Sequence, residues 1–208
     1  MYPTTTRSWP SPVGERADPP VPVLLASSSP RRRDLLAALG VAFEVVSPDV
    51  DETRRSGEDA IAYVTRVALD KVAAVESPAA VLAIAADTTV EVDGHVLEKP
   101  SDDDDARRML RSLSASTHRV HTAMALRFGG RIDHEVVTTD VTFVALTPAV
   151  IDWYVATGEP MGKAGAYALQ GAGGALVDRV DGSVTNVIGL PVAQLLALAA
   201  RLGRPLIG

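Results

Sequence analysis

Residues 21–40, VPVLLASSSPRRRDLLAALG, predict a buried β-strand that runs directly into an α-helix. The apolar run at residues 21–26 is typical of a short buried strand. Ser29 followed by Pro30 is typical of a helix start, because serine caps helix N-termini and proline fits the first helical position. The helix is expected to end near Gly40. A strand that leads into a helix is the basic unit of an α/β fold.

The rest of the chain interleaves further strands and helices. Strands are predicted at residues 43–46, 81–86, 120–128 and 132–145, a hairpin at residues 89–97, and helices at residues 58–75, 101–113, 147–158 and 191–202. Asp93-Gly94 and Gly129-Gly130 indicate hairpins, so antiparallel strand pairs should occur beside parallel ones. We therefore expect a mixed-sheet α/β domain.

Two local features refine this prediction. Ser101 and Asp104 form a pair that resembles a capping box at the start of the helix at 101–113. Short strand-like pieces lie around Tyr167 and Leu176, in a glycine-rich segment.

Composition indicates one globular domain. The chain has 208 residues, of which 47% are apolar and 22% charged. Residues 1–22 are rich in Pro, Ser, Thr and Arg and lack the apolar segment of a secretory signal, so they are expected to form a disordered extension. Residues 23–208 are expected to form the single domain.

Charge and cysteine content exclude several classes of partner. A net charge of -6 argues against nucleic acid polymers, which usually bind a broad basic face. No apolar run approaches the roughly 20 residues of a membrane span. The chain has no cysteine, which excludes disulfides and thiolate zinc sites and fits a cytoplasmic location.

The serine-rich turn before the first helix is a candidate phosphate site. Free N–H groups at the helix start, near Ser29, and the forked cations of Arg31 and Arg32 suit a phosphate. The alternative is a helix cap followed by solvated arginines.

Acidic residues and lysines form a second group of candidates. Asp87, followed by Thr88, ends an apolar strand and could bind Mg²⁺ or take a proton from water, or could simply form a turn. Glu52 could bind metal or be solvated. Lys71 lies on the apolar side of its helix, where it could reach a phosphate or extend to solvent. Lys99 is a loop cation that could do either.

The glycine-rich segment offers polar contacts for a base. Its glycines could form a wall around a flat ring, with Lys163 and Gln170 as polar contacts, or form only tight turns. Gln170 suits a base edge because its amide both donates and accepts hydrogen bonds.

Together these pieces resemble the Maf family of nucleoside triphosphate pyrophosphatases. The match runs in order from about residue 24 to residue 198, and the ordered set is more specific than any one piece. The matching segments are LASSSPRR at 25–32, DE at 51–52, Lys71, ADTTV at 86–90, EKP at 98–100, HRVHT at 118–122, YVATGEP at 154–160, KAGAY at 163–167, QG at 170–171 and GLP at 189–191.

The resemblance implies a mixed twisted sheet flanked by helices, with a central nucleotide-binding cleft, similar to Maf and inosine triphosphatase proteins. It also implies a divalent metal, Mg²⁺ or Mn²⁺, and a homodimer. Asp87 would be the catalytic carboxylate, and Arg31, Glu52, Lys71 and Lys99 would line the phosphate and metal side. Arg31, Thr88 and Gln170 match members that favour dTTP and UTP.

On this interpretation the chain is a hydrolase of phosphoric anhydride bonds that converts an NTP into the monophosphate and pyrophosphate. Glu52 and Asp87 would hold the metal, while the triphosphate lies across the helix start at Ser29. One alternative is a regulator of septum formation that binds nucleotides without turnover, since the family is linked to division arrest. Another is an enzyme that removes modified pyrimidine NTPs.

Overall fold

The computed structural model of the protein describes residues 22–207 and is built on a seven-stranded mixed sheet. The strands are β1 (Val23–Ala26), β2 (Phe43–Val46), β3 (Leu82–Val92), β4 (His95–Leu97), β5 (Thr117–Phe128), β6 (Arg131–Phe143) and β7 (Val177–Asp181). The helices are α1 (Pro30–Ala37), α2 (Ala60–Ala74), α3 (Asp103–Leu113), α4 (Pro148–Ala156), α5 (Val184–Ile188) and α6 (Val192–Arg201). Two 3₁₀ turns cover Ala164–Ala166 and Ala172–Leu176.

The sheet joins a parallel part to an antiparallel part. The strand order is β2-β1-β3-β5-β6-β7, and β4 pairs with β3. β1 lies parallel to both β2 and β3. The pairs β3–β5, β5–β6 and β6–β7 are antiparallel. The expected mixed sheet is confirmed.

Helices cover both faces of this sheet. On one face α2 packs its fully buried Val64, Val67 and Val72 against alanines of β3 and β5. Small residues on the strands let the helix approach closely, and the apolar stripe of α2 is the reason that it lies there. On the other face α1 and α6 pack in one cluster with residues of β1, β3 and β5, and α3 and α4 pack in a second cluster with residues of β3, β5 and β6.

One edge of β3 has a gap between its two neighbours. β1 pairs with residues 82–85 of β3 and β4 pairs with residues 90–92, so residues 86–89 lie between them at that edge. The predicted break at Asp87 is therefore wrong, because β3 continues through it. The change from an apolar run to alternating residues at Asp87 marks the point where β1 stops, and not where β3 stops.

Several local predictions are also corrected. Asp102, not Ser101, caps α3 by accepting a hydrogen bond from the Asp105 amide. The strand-like piece around Tyr167 lies beside the first 3₁₀ turn, whereas the piece around Leu176 corresponds to the second 3₁₀ turn and to β7, which follows it directly. The sequence pattern does not predict α5.

The predicted extension at residues 1–22 lies outside the described residues except for Pro22. No helix within the described range 22–207 has the length and apolar character needed to cross a bilayer.

Candidate active site

A cleft of about 680 Å³ opens at the gap in the edge of β3. Its walls come from the β1–α1 turn, the loop after β2, α2, β3 and the glycine-rich segment. The cleft is lined by every side chain predicted to act in the site, namely Ser29, Arg31, Arg32, Glu52, Lys71, Asp87, Thr88, Lys99, Lys163 and Gln170. Residues far apart in the sequence therefore share one cavity.

Lys71 lies between two carboxylates at the centre of this cleft. Its ammonium is 2.8 Å from Glu52 Oε1 and 2.8 Å from Asp87 Oδ1. Lys71 is 6% exposed and Asp87 is 7% exposed, so the alternative in which this lysine reaches solvent is wrong. Lys99 extends the cluster, with its ammonium 3.5 Å from Glu52 Oε2. Carboxylate and ammonium groups therefore alternate across the cleft.

The two lysines keep Glu52 ionised. Partial burial alone would raise the pKa of this carboxyl, but the hydrogen bond and charge of Lys71, with the charge of Lys99, outweigh burial and hold the pKa below its ordinary value. Glu52 thus presents a charged carboxylate to the cleft at neutral pH.

Residues of α2 hold the loop that carries Glu52. The Tyr63 hydroxyl donates to the backbone carbonyl of Glu52 at 2.9 Å. Arg66 donates to the carbonyls of Asp51 and Thr53 at 3.2 and 2.9 Å. These contacts were not predicted, because nothing in the local pattern links a helical arginine to a loop thirteen residues earlier. They tie the metal-site candidate to a rigid element.

The β1–α1 turn presents a helix start to the cleft. Ser29 occupies the N-cap position, as predicted, although its hydroxyl makes no capping bond. Arg31 is half-buried, and burial lowers its pKa from the ordinary value, against a smaller opposing effect of Tyr154. Within residues 22–207, Arg31 has no ion pair or hydrogen bond through its guanidinium. An unpaired, partly desolvated cation favours an anionic ligand.

Arg32 is buried, and so is not the solvated arginine of the alternative reading. Its Nε donates to the Gly189 carbonyl at 2.7 Å, and its terminal nitrogens donate to Ser27 Oγ at 3.2 Å and Thr88 Oγ1 at 3.0 Å. Burial lowers its pKa, opposed chiefly by Asp87. Three of its five N–H groups thus hold the turn in place.

The glycine-rich segment is braced from behind by Glu159. Its carboxylate accepts hydrogen bonds from the Tyr154 hydroxyl at 2.7 Å and from the amides of Ala172 and Gly173 at 3.0 and 2.9 Å. Burial would raise the pKa of Glu159, but these bonds lower it overall. The braced turn carries Gln170, which is exposed at the rim of the cleft. In the sequence, the only sign of these contacts is the high glycine content of the segment.

Gly171→Ala is expected to disturb this brace. A Cβ at residue 171 would lie 2.0 Å from Glu159 Oε2, so the carboxylate would have to move. We expect a loss of roughly 1–3 kcal/mol in the free energy of unfolding, measured by denaturant titration, as for other overpacked sites. Glu159→Ala removes the clashing group, so adding Gly171→Ala to it should cost little more. Full additivity of the two changes would contradict the brace.

Lys163 lines the same cleft as Gln170 and is half-buried. Burial lowers its pKa from the ordinary value, and the nearby charge of Arg31 lowers it further. Its ammonium contacts only the Met161 carbonyl, at 3.3 Å, among the polar groups of the described part of the chain. Arg31, on the β1–α1 turn, and Lys163, in the glycine-rich segment, are therefore two cleft-lining cations that form no ion pair with a carboxylate among residues 22–207.

A buried histidine supports the same wall. His118 lies 2.9 Å from the Tyr167 hydroxyl through Nε2, and Tyr167 lines the cleft. Burial lowers the pKa of His118 to about 4, so the imidazole is neutral at physiological pH. His118 is not among the predicted site residues. It supports the cleft wall through its contact with Tyr167.

Residues 22–207 contain no group of three or more His, Cys, Asp or Glu side chains arranged to hold a metal ion. The candidate metal ligands are the two carboxylates that share the Lys71 ammonium.

Comparison with known proteins identifies the family. The model of the Maf family, described as "Maf-like protein", matches residues 22–202. A dTTP/UTP pyrophosphatase of Anaeromyxobacter dehalogenans strain 2CP-1 is 53% identical over 189 residues, which cover 88% of this chain and 95% of that protein. A dTTP/UTP pyrophosphatase of Chromobacterium violaceum is 46% identical over 188 residues, covering 87% and 94%.

Among solved structures, a nucleoside-triphosphatase / dITP/XTP pyrophosphatase of Mycobacterium abscessus aligns with a TM-score of 0.38 and 18% identity, over 60% of this chain and 75% of that one. The family model and the two sequence relatives span most of the chain. The chain therefore belongs to the family of Maf-like proteins.

Proposed function

We propose that this protein is a nucleoside triphosphate pyrophosphatase that hydrolyses dTTP and UTP, and modified pyrimidine NTPs, to the monophosphate and pyrophosphate. The observation that carries the proposal is the cluster of Lys71, Glu52 and Asp87 at the centre of one cleft. Two relatives, 53% and 46% identical to this chain, are dTTP/UTP pyrophosphatases, which supports the reaction and the substrates.

The triphosphate would lie between the α1 start and the lysines. Arg31 and Lys163 form no ion pair with a carboxylate among residues 22–207, so their charge is available to an anion, and the amides near Ser29 offer hydrogen bonds. Arg32 retains two N–H groups for the same anion. Lys71 and Lys99 would neutralise charge that develops on the leaving pyrophosphate.

Asp87 would act as the general base. Its Oδ1 accepts from Lys71, while Oδ2 has no hydrogen-bond partner in the described range. A water molecule held by Oδ2 could lose its proton to the carboxylate as it attacks the α-phosphorus. Lys71 keeps the carboxylate oriented for this transfer.

The donor set fits a divalent metal ion delivered with the nucleotide. Mg²⁺ usually binds one or two carboxylates together with phosphate oxygens and water, and Glu52 and Asp87 supply two carboxylates. These two residues would hold Mg²⁺ or Mn²⁺, which would neutralise phosphate charge. Lys71 already offsets part of the carboxylate charge, so the pair need not be fully neutralised by metal.

A panel of canonical and modified NTPs tests the proposal. With Mg²⁺ present, pyrophosphate release should be fastest with dTTP and UTP and much slower with purine nucleotides. Binding without release of pyrophosphate from any nucleotide would instead favour a nucleotide-binding regulator. The homodimer, the cytoplasmic location and a connection to division arrest stay predictions.

Gln170→Ala should raise KM for dTTP and UTP more than it changes kcat. The Gln170 amide lies at the rim of the cleft and takes no part in the chemical step assigned to Asp87. Its loss should weaken binding of the base by about 1 kcal/mol, which is roughly fivefold in KM. The other glutamine of the chain, Gln194 in α6, lies outside the cleft lining, and Gln194→Ala is the control. Unchanged selectivity across the panel would argue against this role.

A further inference from the structure

A chain of hydrogen bonds runs beneath the cleft from Arg32 to Asn186. An Arg32 terminal nitrogen lies 3.0 Å from Thr88 Oγ1, which lies 2.9 Å from Thr122 Oγ1. Thr122 Oγ1 in turn lies 3.0 Å from the Asn186 backbone carbonyl oxygen. Thr122 and Asn186 are completely buried, whereas Thr88 is partly exposed and lines the cleft.

The donor and the acceptor of each hydrogen bond in this series follow from the groups at its two ends. A carbonyl oxygen only accepts, so the single hydroxyl proton of Thr122 points to Asn186. The Thr88 hydroxyl must then donate to Thr122, because two oxygens 2.9 Å apart need a proton between them. A guanidinium only donates, so Thr88 also accepts from Arg32. Thr88 is left with one lone pair and no free proton.

The far end of the chain is held firmly. The Asn186 side-chain amide donates to the Val120 carbonyl at 3.0 Å and to Thr139 Oγ1 at 2.9 Å. The Asn186 backbone amide is capped by Ser183 at 3.2 Å. Asn186 is buried and held in place by these hydrogen bonds. Its carbonyl oxygen, the acceptor for Thr122, therefore cannot turn away at little cost.

A Thr88 hydroxyl without a free proton selects the kind of ligand atom it can meet. It can only accept a hydrogen bond, so it does not suit a phosphate oxygen, which is itself an acceptor. The donors of a nucleoside triphosphate are base N–H and sugar O–H groups. Thymine and uracil carry a donor at the ring imide N3–H, whereas cytosine has an acceptor at the same ring position.

We propose that Thr122 is a positioning residue that turns the Thr88 hydroxyl proton away from the cleft, so that Thr88 accepts the imide N–H of thymine or uracil. The inference rests on the proposed function and adds to it the discrimination between pyrimidine bases. Thr122 itself, being completely buried, does not contact the nucleotide.

The test compares kcat/KM for UTP and CTP, which share the same sugar and triphosphate. In Thr122→Val the acceptor is lost, so the Thr88 proton can turn to the cleft and meet the N3 acceptor of cytosine. The ratio of UTP to CTP should fall about three- to tenfold, the value of one neutral hydrogen bond. If CTP turnover is too slow to measure, competition of CTP against UTP gives the same ratio.

Two controls separate this effect from general damage. Thr122→Ser keeps the hydroxyl and should keep the wild-type ratio. Thr117→Val removes a hydroxyl from the same strand, where it bonds Thr142 at 2.9 Å outside the cleft lining, and should leave the ratio unchanged. An unchanged ratio in Thr122→Val, or an equal fall in Thr122→Ser, overturns the proposal.

A second variant covers the possibility that Thr122→Val does not fold. Thr122→Ala also removes the acceptor and has no branched side chain to accommodate, so the same fall in the ratio is expected, and an unchanged ratio overturns the proposal. Failure of the proposed function appears differently, because the wild-type protein would then release no pyrophosphate from either nucleotide.

Discussion

Asp87→Asn is expected to lower kcat by about 10²–10⁴-fold, the usual contribution of a general base, while the fold and nucleotide affinity are kept. The amide oxygen can still accept from Lys71, which also keeps its bond to Glu52 at 2.8 Å. The side chain can no longer take a proton from water. Pyrophosphate release and the affinity for a non-hydrolysable dTTP analogue measure the two effects separately.

Asp51→Asn is the matched control for that experiment. Asp51 also lines the cleft, but it is exposed and its Oδ1 accepts from the Thr53 amide at 2.9 Å. Its loss should change kcat by less than about threefold, as expected for a solvated carboxylate whose bonds are local. An Asp87→Asn protein with a near wild-type rate would reject Asp87 as the base.

Lys71→Met should reduce both turnover and stability. Removing the ammonium leaves the buried Asp87 carboxylate without its cation and takes charge from the site of the leaving group. We expect kcat to fall about 10²–10³-fold, as when one charge-stabilising donor is lost. Removing one partner of a fully buried ion pair would cost more, but Glu52 is partly exposed. We therefore expect the free energy of unfolding to fall by about 2–3 kcal/mol, which lowers Tm by roughly 5–10 °C.

Lys99→Met separates the two effects of the Lys71 change. The Lys99 side chain is 65% exposed and lies 3.5 Å from Glu52, so its loss should slow turnover and leave Tm unchanged within about 1 °C. Calorimetric melting of both variants, with pyrophosphate release, provides the comparison. If Lys71→Met melts like the wild-type protein, the buried cluster does not contribute as described.

Much of the fold is predictable because local signals agree with tertiary packing. The apolar run before Ser29 and Pro30, and the stripe of α2, both correspond to elements that the structure contains. The apolar run stops at Asp87, and on its own this pattern indicates a strand end there. The strand continues because β5 pairs with it through Glu91, a partner too distant in sequence to read from the local pattern.

The site residues were predicted as a set, and their environments were not. Base rates favour a solvated lysine or arginine, and only the sheet shows that Lys71 and Arg32 are buried. Glu159 and Thr122 act through backbone groups and through other side chains. Such contacts depend on where α5 and the glycine-rich segment come to lie, and no residue spacing encodes that position.

In the proposed reaction, the cleft directs water to the α-phosphorus of a pyrimidine triphosphate. Hydrolysis of dTTP with Mg²⁺ in ¹⁸O-labelled water, with products analysed by mass spectrometry, tests it most directly. We expect dTMP that carries the label and pyrophosphate that does not. Labelled pyrophosphate, or dTDP with inorganic phosphate, would contradict it.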